Sequence, residues 1–281
     1  MRMIGPVVSS RGFGRQDHFC WVHGEPSEYC PRLTEFFSDG LARGLRVAYL
    51  GSGSAGELRE HLGRFADVGP LRTGEAIQVI PVEEIYGAGG PVDPAEVIKR
   101  YAAATEQALL DGYQGLRVSA DVTDLVREPE RQDAFARCEF FLERYSSRHP
   151  LSAMCEYRLD LGDVVTQFAC LHAAAPEGLT PFQVFACDDG AVGLLGEFDV
   201  ACQAAFERVV QRICPAPDDS RLVFDMSAVR YMDHRALLTL EAFAQKCPVP
   251  VVVRSMPRIV RRVARVLGLV HLGGVHLGDL S

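Results

Sequence analysis

Segments with strand patterning alternate along this chain with segments of helical periodicity, and that alternation restricts the fold more than any single residue does. DHFCWVH (17–23) reads as a strand, and Leu33, Phe36, Phe37 and Leu41 then recur at helical spacing between Pro31 and Arg43. RVAYL (46–50) is a short buried strand, GSGSAG a turn and ELREHLGRF a helix. AIQVIPV (76–82), GLRVSADVT (115–123) and LSAMCEYRL (151–159) are further strands. Between them lie a long helix with Pro94 in its first turn and a helix over 129–148 with Phe135, Cys138, Phe141, Leu142 and Tyr145 on one face. Consecutive parallel strands need crossover connections, so this order predicts an α/β fold with a mainly parallel sheet covered on both sides. Residues 1–16, rich in Gly, Arg and Ser, are expected to form a loose arm.

A second α/β set follows HAAAPEGLTP (172–181), a short proline-bounded stretch that reads as a linker, with the boundary near Gly178. It contains a hairpin-like FQVFACDDGAVGLLG, a helix at 199–213, the strand RLVFDM, a helix at 234–245, the strand VPVVVRS, a helix at 257–267 and an apolar stretch at 270–277. The expected domains are 15–178 and 180–281, and 281 residues suffice for two modest cores.

The net charge of −8 repels nucleic-acid phosphates and anionic lipid, so neither nucleic acid nor membrane is expected as a partner. Nine cysteines lie scattered among apolar residues without the spacing of a secreted disulfide framework, which fits a reducing cytoplasm. No N-terminal apolar run resembles a signal peptide, and no segment approaches 18 uninterrupted apolar residues. A soluble cytoplasmic protein is expected.

Gly51, Gly53 and Gly56 satisfy G-x-G-x-x-G between a strand and a helix. A dinucleotide site also wants an acid about 20 residues on, where this chain has Leu71, Arg72 and Thr73. Read instead as a phosphate loop, the segment places Glu57 and Leu58 where Lys and Ser/Thr would grip phosphate and magnesium. A carboxylate there repels nucleotide phosphate, so the loop is expected to be a tight turn and no nucleotide cofactor is expected.

GEFD (196–199) and LVFDMSAVRYMDHRALLTL (222–240) resemble the STAS family of anti-anti-sigma factors, with MPRIVRRVARVLGL like the family's following helix. The resemblance covers about 180–281. It implies a partner surface at the start of the helix after the second Asp, where an anti-sigma kinase phosphorylates a serine. That position suits a phosphate switch, because a helix start stabilises an anion and a phosphoryl group adds about 1.5–2 negative charges. This chain departs from the pattern. Asp233 is kept, but His234 and Arg235 replace the two hydroxyl residues and Ala236 replaces Gly, so serine phosphorylation there is excluded. Ser227 matches the earlier Asp-x-Ser and is expected to cap a loop, and Asp233 equally suits a helix N-cap. Asp199, Ser227, Asp233, His234 and Arg235 are the candidate partner-binding residues. Two readings remain: docking of an anti-sigma factor or related kinase-like regulator, or a module kept for homodimerisation or scaffolding.

DHFCWV (17–22), FFSDGLARGLRVAYL (36–50), GLRVSADVT (115–123), LSAMCEYR (151–158) and CLHA (170–173) resemble the MEDS family, the sensory domain named for methanogen and methylotroph regulators. The resemblance covers most of 15–175. It implies a RecA-like fold without a working phosphate loop and sensing of a small, apolar effector. Asp17, His18, Cys20, Glu139, Cys155, Tyr157 and His172 are the polar or reactive residues chosen as ligand-binding candidates. If their strands are neighbours, they would converge at a crevice at the strand ends. Each, taken singly, also fits a core role.

His18, Cys20, Cys155 and His172 are of metal- or haem-ligand type, but none forms a C-x-x-C or H-x-x-x-H pair, so no metal is expected. Catalysis by Cys20 beside His18 has no oxyanion-hole motif to support it. The leading expectation is a non-enzymatic regulator, with a nucleotide-, thiol- or metal-dependent enzyme on the first domain as the rival and a metal-dependent sensor as a third reading.

Overall fold

The computed structural model describes residues 2–65, 77–213, 215, 219–269, 271 and 272. The first unit runs β1 (Gly5–Val7), β2 (His18–His23), α1 (Pro26–Ala42), β3 (Arg46–Gly51), α2 (Ala55–Phe65), β4 (Ile77–Pro81), α3 (Val82–Tyr86), α4 (Pro94–Leu110), β5 (Leu116–Asp121), α5 (Thr123–Arg127), α6 (Pro129–Ser146), β6 (Leu151–Arg158), α7 (Asp163–Ala169) and β7 (Ala174–Pro176). Among the described residues its sheet has seven strands in the order β1-β7-β2-β6-β5-β3-β4, every pair parallel. The mainly parallel α/β architecture expected from the alternation is the one observed. Strands buried on both faces carry continuous apolar runs, and Val47 to Leu50 are all buried.

Helices cover both sides of this sheet. On one side α1 and α2 bring Tyr29, Leu33, Phe36, Phe37 and Leu58 against Phe19, Tyr49 and Met154. On the other, α4, α6 and α7 pack Tyr101, Phe135, Phe140 and Phe168 over Cys20, Val118, Cys155 and Tyr157. Each fully buried Phe contributes about 1.5–3 kcal/mol. The sequence pattern starts α1 at Pro31; it begins five residues earlier, where the Glu28 carboxylate accepts from Gly24 N (3.0 Å) and Glu25 N (3.4 Å) and closes the helix start.

The N-terminal arm is not loose. β1 pairs with β7, the Asp17 carboxylate accepts from Met3 N and Gly14 N, and Ser10 Oγ donates to Arg32 O (2.6 Å). Fully buried Arg117 donates to Phe13 O (2.7 Å) and Gly14 O (3.1 Å). The Gly/Arg/Ser composition concealed this because the arm is held by scattered contacts, polar ones together with buried Val7 and Phe13, the latter stacked on Phe19, and not by a periodic apolar stripe. The same pairing corrects the linker: Ala174–Pro176 is a strand, and His172 to Ala175 are buried.

The second unit comprises β8 (Phe182–Ala186), β9 (Val192–Phe198), α8 (Gln203–Arg212), β10 (Leu222–Met232), α9 (His234–Lys246), β11 (Val251–Arg254) and α10 (Arg258–Val266). Its sheet runs β11-β10-β9-β8, with β8 antiparallel to β9 and the others parallel. Gly196, with φ of +104°, lets β9 pass Pro181, whose carbonyl oxygen would lie 2.3 Å from any Cβ placed there. β10 continues through register shifts after Asp225 and Val229 to Met232, six residues beyond the strand end expected at Met226. Within the expected apolar stretch 270–277, only His271 and Leu272 are among the described residues. No helix among those residues is long and apolar enough to cross a membrane.

The units share one continuous apolar core, in which Phe168 and Phe182 both take part. Polar bridges reinforce the junction. Arg212 reaches Asp133 on α6 (2.8 Å), and Arg144 grips Asp219 with two bonds of 2.7 and 3.0 Å. Val184 N donates to Cys170 O (2.7 Å).

Candidate functional site

Parallel pairing of β2 with β6 sets Cys20 beside Cys155, so His18, Cys20, Cys155 and Tyr157 all point to the α6 face of the sheet. α6 presents Glu139 and Glu143 to that face, four residues apart and therefore on one side of the helix. His172 follows α7. The result is a buried polar cluster. His18 Nδ1 lies 2.8 Å from Glu143 Oε2, while His18 Nε2 lies 3.1 Å from Glu139 Oε2 and 3.3 Å from Cys155 Sγ. Cys155 Sγ is 3.4 Å from Glu139 Oε2, and Tyr157 OH donates to Glu139 Oε1 at 2.8 Å. His172 donates through Nδ1 to Phe168 O (2.9 Å), and its Nε2 stands 3.4 Å from Glu139 Oε2. Arg2 closes the network with a 2.5 Å bond to Glu143 Oε1.

Fully buried charges persist only when opposite charges meet them. Burial alone would lower the His18 pKa, but bonds and attraction to Glu139 and Glu143 outweigh it and lift it to about 9. Burial likewise opposes ionisation of Glu139, yet His172 and His18 hold it below the carboxylate range. Arg2 and His18 do the same for Glu143. Burial and the nearby Glu139 charge push the Cys155 and Cys20 thiols well up, so neither is a ready thiolate nucleophile in this setting.

The cluster touches the second unit directly. Gln183 Nε2 on β8 donates to His172 O (3.2 Å), and Arg2 spans from Glu143 to Ala186 O on the same strand (2.5 Å).

The glycine loop lies elsewhere, at the carboxyl end of β3. Gly53 takes φ of +106°, and Glu57 Oε2 accepts from Ser54 N and Ser54 Oγ, both at 2.8 Å. A side-chain carboxylate thus occupies loop donors that a phosphate loop would offer to nucleotide. The adjoining cleft, about 560 Å³, is lined by Glu57, Glu60, Asp121 and Asp124 besides Tyr49 and His61. Such a lining repels phosphate.

In the second unit Asp233 caps α9, its carboxylate accepting from Ala236 N (2.9 Å). His234 and Arg235 stand exposed at that helix start. Tyr231 and Leu238, apolar residues near them in the chain, are also exposed. Asp233 N donates to Phe198 O at the end of β9, which ties the helix start to the strand beside β8.

Comparison with family models now places these two units. Residues 17–173, over half of the chain, match MEDS, the MEthanogen/methylotroph, DcmR Sensory domain. The chain belongs to the MEDS family. Residues 187–277 match the STAS domain. A sensory-type unit followed by a STAS unit is a signalling and regulatory arrangement. No curated protein matches the chain.

Within this MEDS unit, His18, Glu139, Cys155, Tyr157 and His172 come together. Cys20 is buried on the same face but stands outside the bonded group, and Asp17 is spent on the N-terminal arm. The meeting place is also not the strand-end crevice expected from the sequence: His18 opens β2, and the cluster lies beneath the sheet under α6 and α7. Glu143 and Arg2 were missing from the expected set. The spacing of Glu143 from Glu139 on an otherwise apolar helix face was a usable signal; Arg2, in the arm, offered none. In the STAS unit, Ser227 is exposed beside a register shift. It lies within β10, where its N–H donates to Asp225 Oδ1 (2.8 Å). Asp199 turns the chain into α8, accepting from Ala201 N and Cys202 N.

Proposed function

We propose that this protein is a non-enzymatic regulator in which the MEDS unit senses a small apolar effector and the STAS unit docks an anti-sigma factor or a related kinase-like regulator. The observation that carries the reading is the bonding of the buried cluster to the STAS edge strand through Arg2 and through Gln183 to His172. A ligand shifts an equilibrium only through different affinities for two states. Rearranging this cluster would alter bonds that β8 shares with it, and β9 joins β8 to the start of α9. The exposed His234-Arg235 pair would supply the docking contact, with no hydroxyl at that spot for a kinase to modify.

A titration of the full chain against a serine-kinase-type anti-sigma factor tests the docking reading. Binding that weakens at least about tenfold, roughly 1.4 kcal/mol, in Arg235→Glu supports it. Equal binding by the variant, or self-association through this face in place of binding, counts against it.

A further inference from the structure

The cluster under α6 holds one close pair of polar atoms that does not meet at hydrogen-bond geometry. His172 donates its Nδ1 proton to Phe168 O, which in a neutral ring leaves a lone pair on Nε2. That nitrogen is completely buried and makes no hydrogen bond. It faces a Glu139 carboxylate oxygen 3.4 Å away, so the pair is held together either by a proton on Nε2 or by a cation between the two atoms.

We infer that His18, Glu139, Cys155 and His172 form a four-ligand site for a divalent cation of the zinc class. One ligand atom from each residue lies within 4.8 Å of all the others. Four of the separations are 3.1, 3.3, 3.4 and 3.4 Å. A tetrahedral zinc with metal–ligand bonds of about 2.0–2.3 Å sets its ligand atoms roughly 3.3–3.6 Å apart, which these four separations approach, and His172 would close on His18 and Cys155 from within 4.8 Å. Nitrogen, sulfur and one carboxylate suit zinc and disfavour magnesium or calcium, which prefer oxygen.

The surroundings are those of a metal site. His18 directs Nδ1 at the Glu143 carboxylate (2.8 Å), His172 directs Nδ1 at a backbone carbonyl, and Tyr157 donates to the outer oxygen of Glu139. Partners of these kinds orient ligating imidazoles and carboxylates and raise their basicity. Charges also balance: a Cys155 thiolate and the Glu139 carboxylate neutralise a 2+ ion, while Arg2 answers Glu143. Ligands from β2, α6, β6 and the segment after α7 make the ion a clasp across the sensory unit, whatever partner docks at His234.

The test is elemental analysis and cobalt spectroscopy of the full chain, expressed in zinc- or cobalt-supplemented medium and gel-filtered. The expected result is about one ion per chain, and with cobalt a tetrahedral ligand-field spectrum with a thiolate-to-cobalt charge-transfer band. Cys155→Ser should abolish that band and Cys20→Ser should keep it. Glu143→Gln, which leaves all four ligands in place, should weaken retention about 10–100-fold against a chelator. His172→Gln, judged folded by circular dichroism, covers the case in which Cys155→Ser does not fold, and it should also lose the tetrahedral spectrum. Folded wild-type protein without stoichiometric metal overturns the inference, as does a cobalt spectrum that is octahedral or unchanged in Cys155→Ser.

Discussion

Cys155 and Glu156 are consecutive on β6, point to opposite faces of the sheet and enter opposite electrostatic worlds. On the α6 face, Glu139 meets His18 and His172 while Glu143 meets His18 and Arg2, so carboxylates stay ionised in a dry core. On the α1 face, completely buried Glu156 bonds Ser119 through one oxygen, has only the Tyr29 hydroxyl near the rest of its carboxyl, and feels the like charge of Asp121. Burial and Asp121 therefore push its carboxyl well up. The difference teaches that burial of an acid is not itself a functional sign. What separates the two faces is the assembly of cations and ligating atoms around one of them.

Removing the carboxylate that matches two cations should break the contrast most forcefully. Glu143→Ala strands Arg2 and His18 without their shared partner, and losing one member of a buried charge group costs about 3–5 kcal/mol. Urea unfolding of the full chain measures it. A loss under about 1 kcal/mol would mean that water or rearrangement replaces the carboxylate and that the cluster is not tightly built.

The next effect lies at the junction. Arg144→Ala removes a bidentate bond to Asp219, for which about 1.5–3 kcal/mol is expected from a charged hydrogen-bonded pair that is mostly shielded from water. Combined with Arg212→Ala, it should split a single calorimetric transition into two, since the units would then be held mainly by apolar packing. A single unshifted transition would show that the shared core alone couples them.

Much of the fold beneath this contrast was already visible in the sequence. Alternating periodicity carried the sheet and its helices, because burial of both strand faces writes itself into continuous apolar runs such as RVAYL. His18, Glu139, Cys155, Tyr157 and His172 could be chosen as the polar or reactive residues that go with the resemblance to the MEDS family. Their convergence could not be read, since it depends on which strands become neighbours, and β2 beside β6 joins segments more than 130 residues apart. The arm leaves no periodic trace for a related reason: besides the β1–β7 pairing, it is anchored by single contacts, polar ones from Asp17, Arg117 and Arg2 and apolar ones from Val7 and Phe13.

On the opposite face the comparison predicts a gain. A carboxyl whose native pKa lies above its unfolded value, about 4.3, holds its proton in the native state. Its stabilising contribution is complete below that unfolded value and is lost as pH rises toward the native one. Glu156→Gln keeps a neutral group on Ser119 without that loss. The variant should match wild type near pH 4 and exceed it by about 1 kcal/mol at neutral pH, read as a pH series of unfolding midpoints. A variant less stable at every pH would show that Glu156 is ionised and partnered in solution.

The smallest effect belongs to the glycine loop, whose carboxylate is exposed where those of the cluster are enclosed. Two bonds from Ser54 hold the Glu57 pKa down, but solvent competes with both. Glu57→Ala should therefore leave the melting temperature unchanged within error. It should also fail to create a nucleotide site, because Leu58 cannot serve as a magnesium ligand and Glu60, Asp121 and Asp124 still line the cleft. Calorimetry with ATP and magnesium should show no heat of binding for either protein. Micromolar binding by the wild type would mean that Glu57 swings away and that the loop end of the sheet, not the cluster beneath it, is where this MEDS unit takes its ligand.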